Sequence, residues 1–265
     1  MQIIVPIKQV PETNNVKMDP VTGTMVREGV EAIINPLDLY AIEAAVQLKE
    51  KFGGKITTIS MGPPKAESAL RESIAMGCDE AVLLTDKAFA GADTWATSYT
   101  LSQAIRRLGN FDLILCGERA TDGDTGQVGP GIAAWLDLPF ATYISKIEAV
   151  QDNELIVERM VETGYEVLAL PKPCLLTVVK EIAYPRLPSL KGKIAARQKQ
   201  IASWGPADIQ AQPENIGLKG SPTRVVKITT PQVARFGKLV KPKDEQELSQ
   251  ALDELIAVLQ EKAIL

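Results

Sequence analysis

At 265 residues, 45% of them hydrophobic, the chain is long enough to bury a full core as one large domain or as one domain with an arm. Its formal net charge of −4, with 29 basic residues spread along the sequence, leaves no nucleic-acid footprint. The absence of histidine excludes Ser-His and Cys-His nucleophilic catalysis, imidazole proton shuttling and histidine-based metal sites.

In chain order, the first element is a strand, Ile3 to Ile7, followed by a loop with Lys8, Gln9 and Pro11. The opening MQIIVPIKQV has no charged leader or long apolar run, and no stretch approaches the ~18 apolar residues of a membrane span. A cytoplasmic location is the expectation. Cys78, Cys116 and Cys174 lie far apart, in or beside apolar runs, and read as buried thiols of a reducing compartment. Residues Val16 to Arg27 read as a hairpin around Asp19-Pro20-Val21-Thr22-Gly23.

Asn35-Pro36 opens the first long helix: Asn caps, Pro suits the first helical position, and Gly53 ends it. Ile42, Ala45, Val46, Lys49 and Phe52 mark its expected inner side. A second strand, Lys55 to Met61, stops at Gly62-Pro63-Pro64, and a helix around Leu70, Ile74 and Met76 ends at Gly77. The third strand is Ala81 to Thr85, and the next helix runs from near Thr94 to Gly109.

The stretch DLILCGERATDGDTGQVGP, Asp112 to Pro130, is a buried strand, a polar glycine loop and the start of another helix. Glycines let the backbone approach a ligand, and the free amides at a helix start carry partial positive charge, so phosphate is the natural guest. It is neither a Walker loop nor a spaced-glycine dinucleotide fingerprint. By itself the pattern also fits an ordinary polar surface loop.

Strand and helix thus alternate four times, the pattern of an α/β fold with a doubly wound, mainly parallel, Rossmann-like nucleotide-binding sheet. Ligands of such sheets sit beyond the carboxyl ends of the strands. The loops there are Pro6 to Gln9, Met61 to Pro64, Gly91 to Thr97 and Gly117 to Gln127. Phe140–Val150, Glu154–Glu162, Tyr165–Leu170 and Cys174–Lys180 read as an antiparallel extension.

Glu181 to Ile201 reads as an exposed loop entering a basic helix, either a solvated face or a docking surface anchored by Leu190. Ala202 to Ser221 reads as a loop-like arm and Thr223 to Thr229 as a strand. Asp244 with Glu247 resembles a capping box, ahead of an apolar stripe of Leu248, Leu252, Leu255, Ile256 and Leu259. That stripe is either core or a surface for a partner chain. The expected division is residues 1–201, carrying the nucleotide site and the loop 184–200, and 202–265, an arm and helix.

The pieces VPIKQVPET, DPVTGTMVREGV, INPLDLYAIEAA, MGPPKAES, GADTWATS, GERATDGDTGQVGP and PRLPSLKGKIAAR, in this order over nearly the whole chain, resemble the β subunit of electron transfer flavoprotein. The resemblance implies a heterodimer with an α subunit that binds its own FAD. It also implies a β-subunit pocket holding AMP in one group. In the electron-bifurcating group, which Asn35-Pro36-Leu37-Asp38, Met61-Gly62-Pro63-Pro64 and the compact loop from Asp122 resemble more, the pocket holds a second FAD. There NADH is the hydride donor, and electrons divide between ferredoxin or flavodoxin and the α-subunit FAD that feeds an acyl-CoA dehydrogenase-type flavoenzyme.

The implied pocket comprises Pro6, Asn35, Pro36, Leu37, Asp38, Met61, Gly62, Thr94, Thr97, Cys116, Gly117, Asp122, Gly123, Asp124, Thr125, Gly126, Gln127 and Val128. The implied docking residues are Leu190, Lys191, Lys193 and Arg197. No residue is nominated as a proton shuttle, and no metal is expected. An AMP-holding subunit and a stand-alone nucleotide-binding module remain alternatives.

Overall fold

The computed structural model describes residues 1–12, 32–226 and 237–264. The expected hairpin around Asp19–Gly23 lies outside them, as do residues 227–229 of the strand expected from Thr223; residues 223–226 are irregular.

Contacts divide the chain into two compact units, Met1–Val226 and Lys227–Leu265. In the first, the elements are β1 (Gln2–Pro6), β2 (Gln9–Pro11), β3 (Ala32–Ile34), α1 (Pro36–Phe52), β4 (Lys55–Met61), α2 (Glu67–Met76), β5 (Glu80–Leu84), α3 (Thr94–Leu108), β6 (Leu113–Gly117) and α4 (Val128–Leu136). They continue as β7 (Phe140–Val150), β8 (Glu154–Val161), β9 (Gly164–Pro171), β10 (Cys174–Val178), α5 (Leu190–Gln198) and β11 (Ala202–Trp204). Strands β2 and β3 form a small antiparallel ribbon. The others make one nine-stranded sheet in the order β11-β5-β4-β1-β6-β10-β7-β8-β9.

The strands from β11 to β7 run parallel, and β8 and β9 close the sheet antiparallel. Helices cover both faces. In β1, Ile3 and Val5 join the core under α1, α2 and α5, while Ile4 joins the core under α3 and α4. That two-sided burial explains why the strands read as continuous apolar runs.

Three expectations are corrected here. Strand β10 is not part of the antiparallel extension; it inserts between β6 and β7, parallel to both, with all five residues buried. On α1, Ala41, Ile42, Ala45, Val46 and Leu48 form the inner side, whereas Lys49 turns outward to Asp79 at 2.8 Å and Phe52 is exposed. Residues 202–226 belong to the first unit: β11 pairs with β5, Ile209 and Ile216 are buried under α3, and Gln212 N donates to Tyr99 Oη at 2.9 Å. Apolar residues spaced along an irregular segment gave no periodicity from which to read that packing.

The second unit carries α6 (Glu245–Glu261). Its expected cap is present, with Asp244 accepting from Glu247 N at 2.8 Å and Glu247 accepting from Lys243 N at 2.8 Å. Among the described residues of this unit, none of α6 is buried.

Candidate functional site

The site follows from the strand order. Strands β1 and β6 are neighbours, but the chain leaves β1 for α1 on one face and leaves β6 for α4 on the other. The loops splay apart at that reversal and leave a crevice beyond the strand ends. A cleft of about 330 Å³ lies there, reaching from Pro6, Ile7 and Lys8 after β1 and Met61 after β4 to the loop 116–129 and the first turn of α3.

The start of α1 fastens the crevice. Asn35 is buried, but its side chain does not cap the helix as expected. Instead Nδ2 donates to Asp38 Oδ1 and to Arg119 O, both at 2.9 Å, and Oδ1 accepts from Thr121 N at 3.1 Å. Asp38 Oδ2 accepts from Lys8 N at 2.7 Å. Burial, opposed by these hydrogen bonds and the nearby Lys8 charge, pushes the Asp38 carboxyl up to about 7. The fit against β6 requires glycine: a Cβ on Gly117 would stand 2.8 Å from Leu37 C and closer still to Asp38 Oδ1.

The polar loop folds on its own charges. Ala120 O accepts from Gly123 N at 3.2 Å and from Asp124 N at 2.8 Å, and Asp124 and Gly126 both have left-handed backbones. Lys8 pairs with Asp122 at 2.6 Å, and Arg119 pairs with Asp124 at 3.1 Å and Glu118 at 3.3 Å. These pairs are partly exposed and worth about 0–1 kcal/mol each, so their work is to shape the loop. Helix α4 then starts at Val128 with no side-chain cap on its first amides. Thr94 Oγ1 donates across the cleft to Gln127 Oε1 at 3.1 Å. Asp93 caps α3, accepting from Trp95 N at 3.0 Å and Ala96 N at 3.1 Å.

Of the expected pocket residues, Pro6, Asp38, Met61, Thr94, Thr97, Cys116, Gly117, Gly123, Thr125, Gly126, Gln127 and Val128 line the cleft. Asn35, Asp122 and Asp124 do not line it and instead make the fastenings just described. Pro36 is the first residue of α1, Leu37 backs Gly117, and Gly62 N donates to Leu84 O at 3.0 Å without lining the cleft. Lys8, Glu118 and Arg119 line it too and were missed. Charged residues in a polar loop look like any surface, and only their repeated opposite signs hinted at pairing. Asp38 was expected as a binder, not as an acid titrating near neutrality.

All three cysteines are buried and free. Burial pushes Cys78 up to about 12 and Cys174 up to about 11, and raises Cys116 as well, so none is a nucleophile. Among the described residues no cluster of metal-ligating side chains occurs, and no helix is long and apolar enough to cross a membrane.

The expected docking residues lie apart from the cleft, on α5. Leu190 is 77% exposed at its first position, with Lys191, Lys193 and Arg197 following. The structure adds two apolar side chains that sequence reasoning passed over, Tyr184 at 92% and Leu187 at 90% exposure.

The electron transfer flavoprotein domain family matches residues 22–209. The chain is 52% identical over 240 residues, 90% of its length and 92% of the relative's, to the electron transfer flavoprotein subunit beta of Thermoanaerobacterium thermosaccharolyticum. It is 46% identical, over the full length of both, to the caffeyl-CoA reductase-Etf complex subunit CarD of Acetobacterium woodii. It is 46% identical to the protein FixA of Azotobacter vinelandii, covering 88% of this chain and 85% of that one.

Proposed function

The chain belongs to the electron transfer flavoprotein family, as a β subunit, and on that premise we propose that its cleft binds FAD, with NADH as hydride donor. Ferredoxin or flavodoxin and the FAD of the α subunit are then the two outlets for electrons, the latter feeding an acyl-CoA dehydrogenase-type flavoenzyme.

The observation that carries this reading is the reach of the cleft. One space runs from Thr125, Gly126, Gln127 and Val128 to Pro6, Met61 and Ala92, so a ligand gripped by phosphate at α4 has room to continue toward the loops after β1 and β4. The donor set fits: the uncapped amides of α4 and the Thr125 hydroxyl suit phosphate, while Thr94 and Thr97 offer hydroxyls further along. Lys8 and Arg119 line the wall as well, each already paired with a carboxylate of the loop. A bound FAD supplies hydride acceptance and single-electron delivery, and the protein supplies position and electrostatics.

A β subunit pairs with an α subunit, and the exposed stripe of α6, with Leu248, Leu252, Leu255 and Ile256, is the surface we assign to that contact. Three buried free thiols accord with a cytoplasmic site of action.

The AMP reading draws on one observation. About 330 Å³ is at the low end of small-ligand pockets and suits a mononucleotide. Counting nucleotides released on denaturing the purified heterodimer separates the two. Two FAD per heterodimer, with bleaching by NADH, is the expected result; one FAD and one AMP, with no bleaching, overturns it.

A further inference from the structure

After β11 the chain runs irregularly to Thr223, apart from one short helical turn at Pro213–Asn215, and much of it lies along α3. Ile209 and Ile216 are buried there, Arg107 of α3 donates to Asp208 O, and its guanidinium sits over the Trp204 ring at 4.7 Å. The end of this segment then crosses the loop that enters α3. Leu218 N donates to Ala90 O at 3.0 Å. Gly217, with φ 55°, has a left-handed backbone and leaves no room for a side chain against Ala88 O.

The crossing closes on one carboxylate. Asp93 N donates to Ser221 Oγ at 2.9 Å, and that hydroxyl donates in turn to Gly217 O at 2.7 Å. Thr223 N and Thr223 Oγ1 both donate to Asp93 Oδ2, at 3.0 and 2.7 Å. Asp93 Oδ1 takes the amides of Trp95 and Ala96, so the two oxygens serve two structures: one caps α3 and the other is gripped by the strap 217–223. Burial pushes the Asp93 carboxyl up, but the bonds from Thr223, Ala96 and Trp95 outweigh it and hold the group below the ordinary range. The ionised group therefore keeps four charge-assisted acceptor bonds that fix its orientation.

What the cap holds is a wall of the cleft. Ala92, Asp93, Thr94 and Thr97 line it, and Thr94 Oγ1 reaches across to Gln127 Oε1 at the start of α4. A carboxylate free to turn would release the first amides of α3 and let that turn fray. Ser221 and Thr223 do not line the cleft, yet they prevent that rotation.

We propose that Thr223 and Ser221 are positioning residues for the bound nucleotide: by fixing the Asp93 carboxylate they hold the first turn of α3, with Thr94 and Thr97, against the ligand and slow its release. The inference rests on the reading of the cleft as a nucleotide site, and it holds whether the guest is FAD or AMP.

The test dilutes the purified heterodimer and counts, by chromatography at timed intervals, the FAD and AMP that remain bound. The α-subunit FAD is common to every variant and serves as internal reference. Thr223→Val keeps the side-chain shape and removes one hydrogen bond. It should speed loss of the cleft nucleotide by about fivefold and hydrogen exchange at the Trp95 and Ala96 amides by a similar factor, with the heterodimer intact. Ser221→Ala should speed both by about threefold, and Thr223→Ser, which restores the hydroxyl, should come within about twofold of wild type. Faster exchange with unchanged release would show that the cap does not transmit to the ligand, and faster release with unchanged exchange that Thr223 acts by another route; either overturns the proposal. Dissociation of the heterodimer by Thr223→Val would make the strap a subunit contact and overturn it too. A wild-type heterodimer holding no nucleotide beyond the α-subunit FAD overturns the nucleotide reading and this inference with it, whereas normal retention in wild type beside unchanged variants overturns this inference alone.

Discussion

Asn35 and Asp38 are bound to each other across the first turn of α1, at 2.9 Å from Nδ2 to Oδ1, and each then reaches a different wall of the cleft. Asn35 holds the loop at Arg119 and Thr121, and Asp38 holds the backbone of Lys8. The pair is a tie between the loops that follow β1 and β6, at the place where strand order pulls them apart.

Asn35→Ala removes three hydrogen bonds from a buried position. It should lower stability by about 2–4 kcal/mol and weaken nucleotide retention by about tenfold or more. Thermal denaturation and equilibrium dialysis against FAD measure the two effects. Unchanged retention would mean that the loop holds its shape without Asn35.

The raised Asp38 carboxyl sets a pH dependence whose sign runs against that of most acids. With a value of about 7 folded against 3.8 as an ordinary carboxyl, the folded chain keeps a proton that the unfolded chain releases. Below about pH 4 both states are protonated. Between about 4 and 7 only the unfolded state ionises, so stability falls as pH rises, by a few kcal/mol in all, and above 7 the penalty is constant. Glu43, which burial pushes up but hydrogen bonds from Arg186 and Gln47 hold below the ordinary range, acts in the opposite sense, since its contribution is present above the ordinary carboxyl value and is lost as acid reaches its lowered one. The charged and titratable neighbours of Asp38 are Lys8 and the neutral Cys116. Asp38→Asn should therefore flatten the decline in melting temperature between about pH 4 and 7 while leaving the acid limb in place. An undiminished decline in the variant would show that the carboxyl is ionised in the folded chain.

Gly117→Ala places a methyl group against Leu37 and Asp38, both in the first turn of α1. The change should cost about 1–3 kcal/mol by forcing β6 away from α1, and it should open the cleft floor enough to reduce nucleotide binding. A crystal structure and a melting curve of the variant check both halves; a wild-type melting temperature would mean that α1 yields without strain.

Ending the chain after Val226 keeps the whole first unit, including the bonds from Thr223 N and Oγ1 to Asp93 at 3.0 and 2.7 Å. The shortened chain should fold with a near-native melting temperature and retain nucleotide, yet fail to co-purify with the α subunit. Co-purification would remove α6 from the subunit contact.

Much of the fold was legible because the punctuation is chemical. Gly53, Gly77 and Gly109 stop helices with backbones that other residues resist, Asp93 caps α3, and Pro36 starts α1. The place of β10 was not legible in the same way. Cys174-Leu-Leu-Thr-Val announces a strand buried on both faces, but apolar content does not say which neighbours bury it. At the cleft, Thr94, Thr97 and Thr125 to Val128 were named through the family resemblance, and they line it. The work of Asn35 escaped because its partners, Arg119 and Thr121, lie more than eighty residues away. A cap is a local inference; a tie between loops is not.

The insertion of β10 has a consequence for how the chain is born. Its hydrogen-bonding partner β6 is finished at Gly117, but the strand that covers that edge ends at Val178. Roughly 60 residues separate them, about 3–12 s of synthesis at usual rates. Throughout that interval the nascent sheet presents an apolar, unpaired edge at what will become its middle, the kind of surface that captures other chains. Solubility during translation therefore depends on shielding of β6, and synonymous codon changes that slow passage through residues 118–178 should shift newly made protein toward aggregates without altering a single side chain.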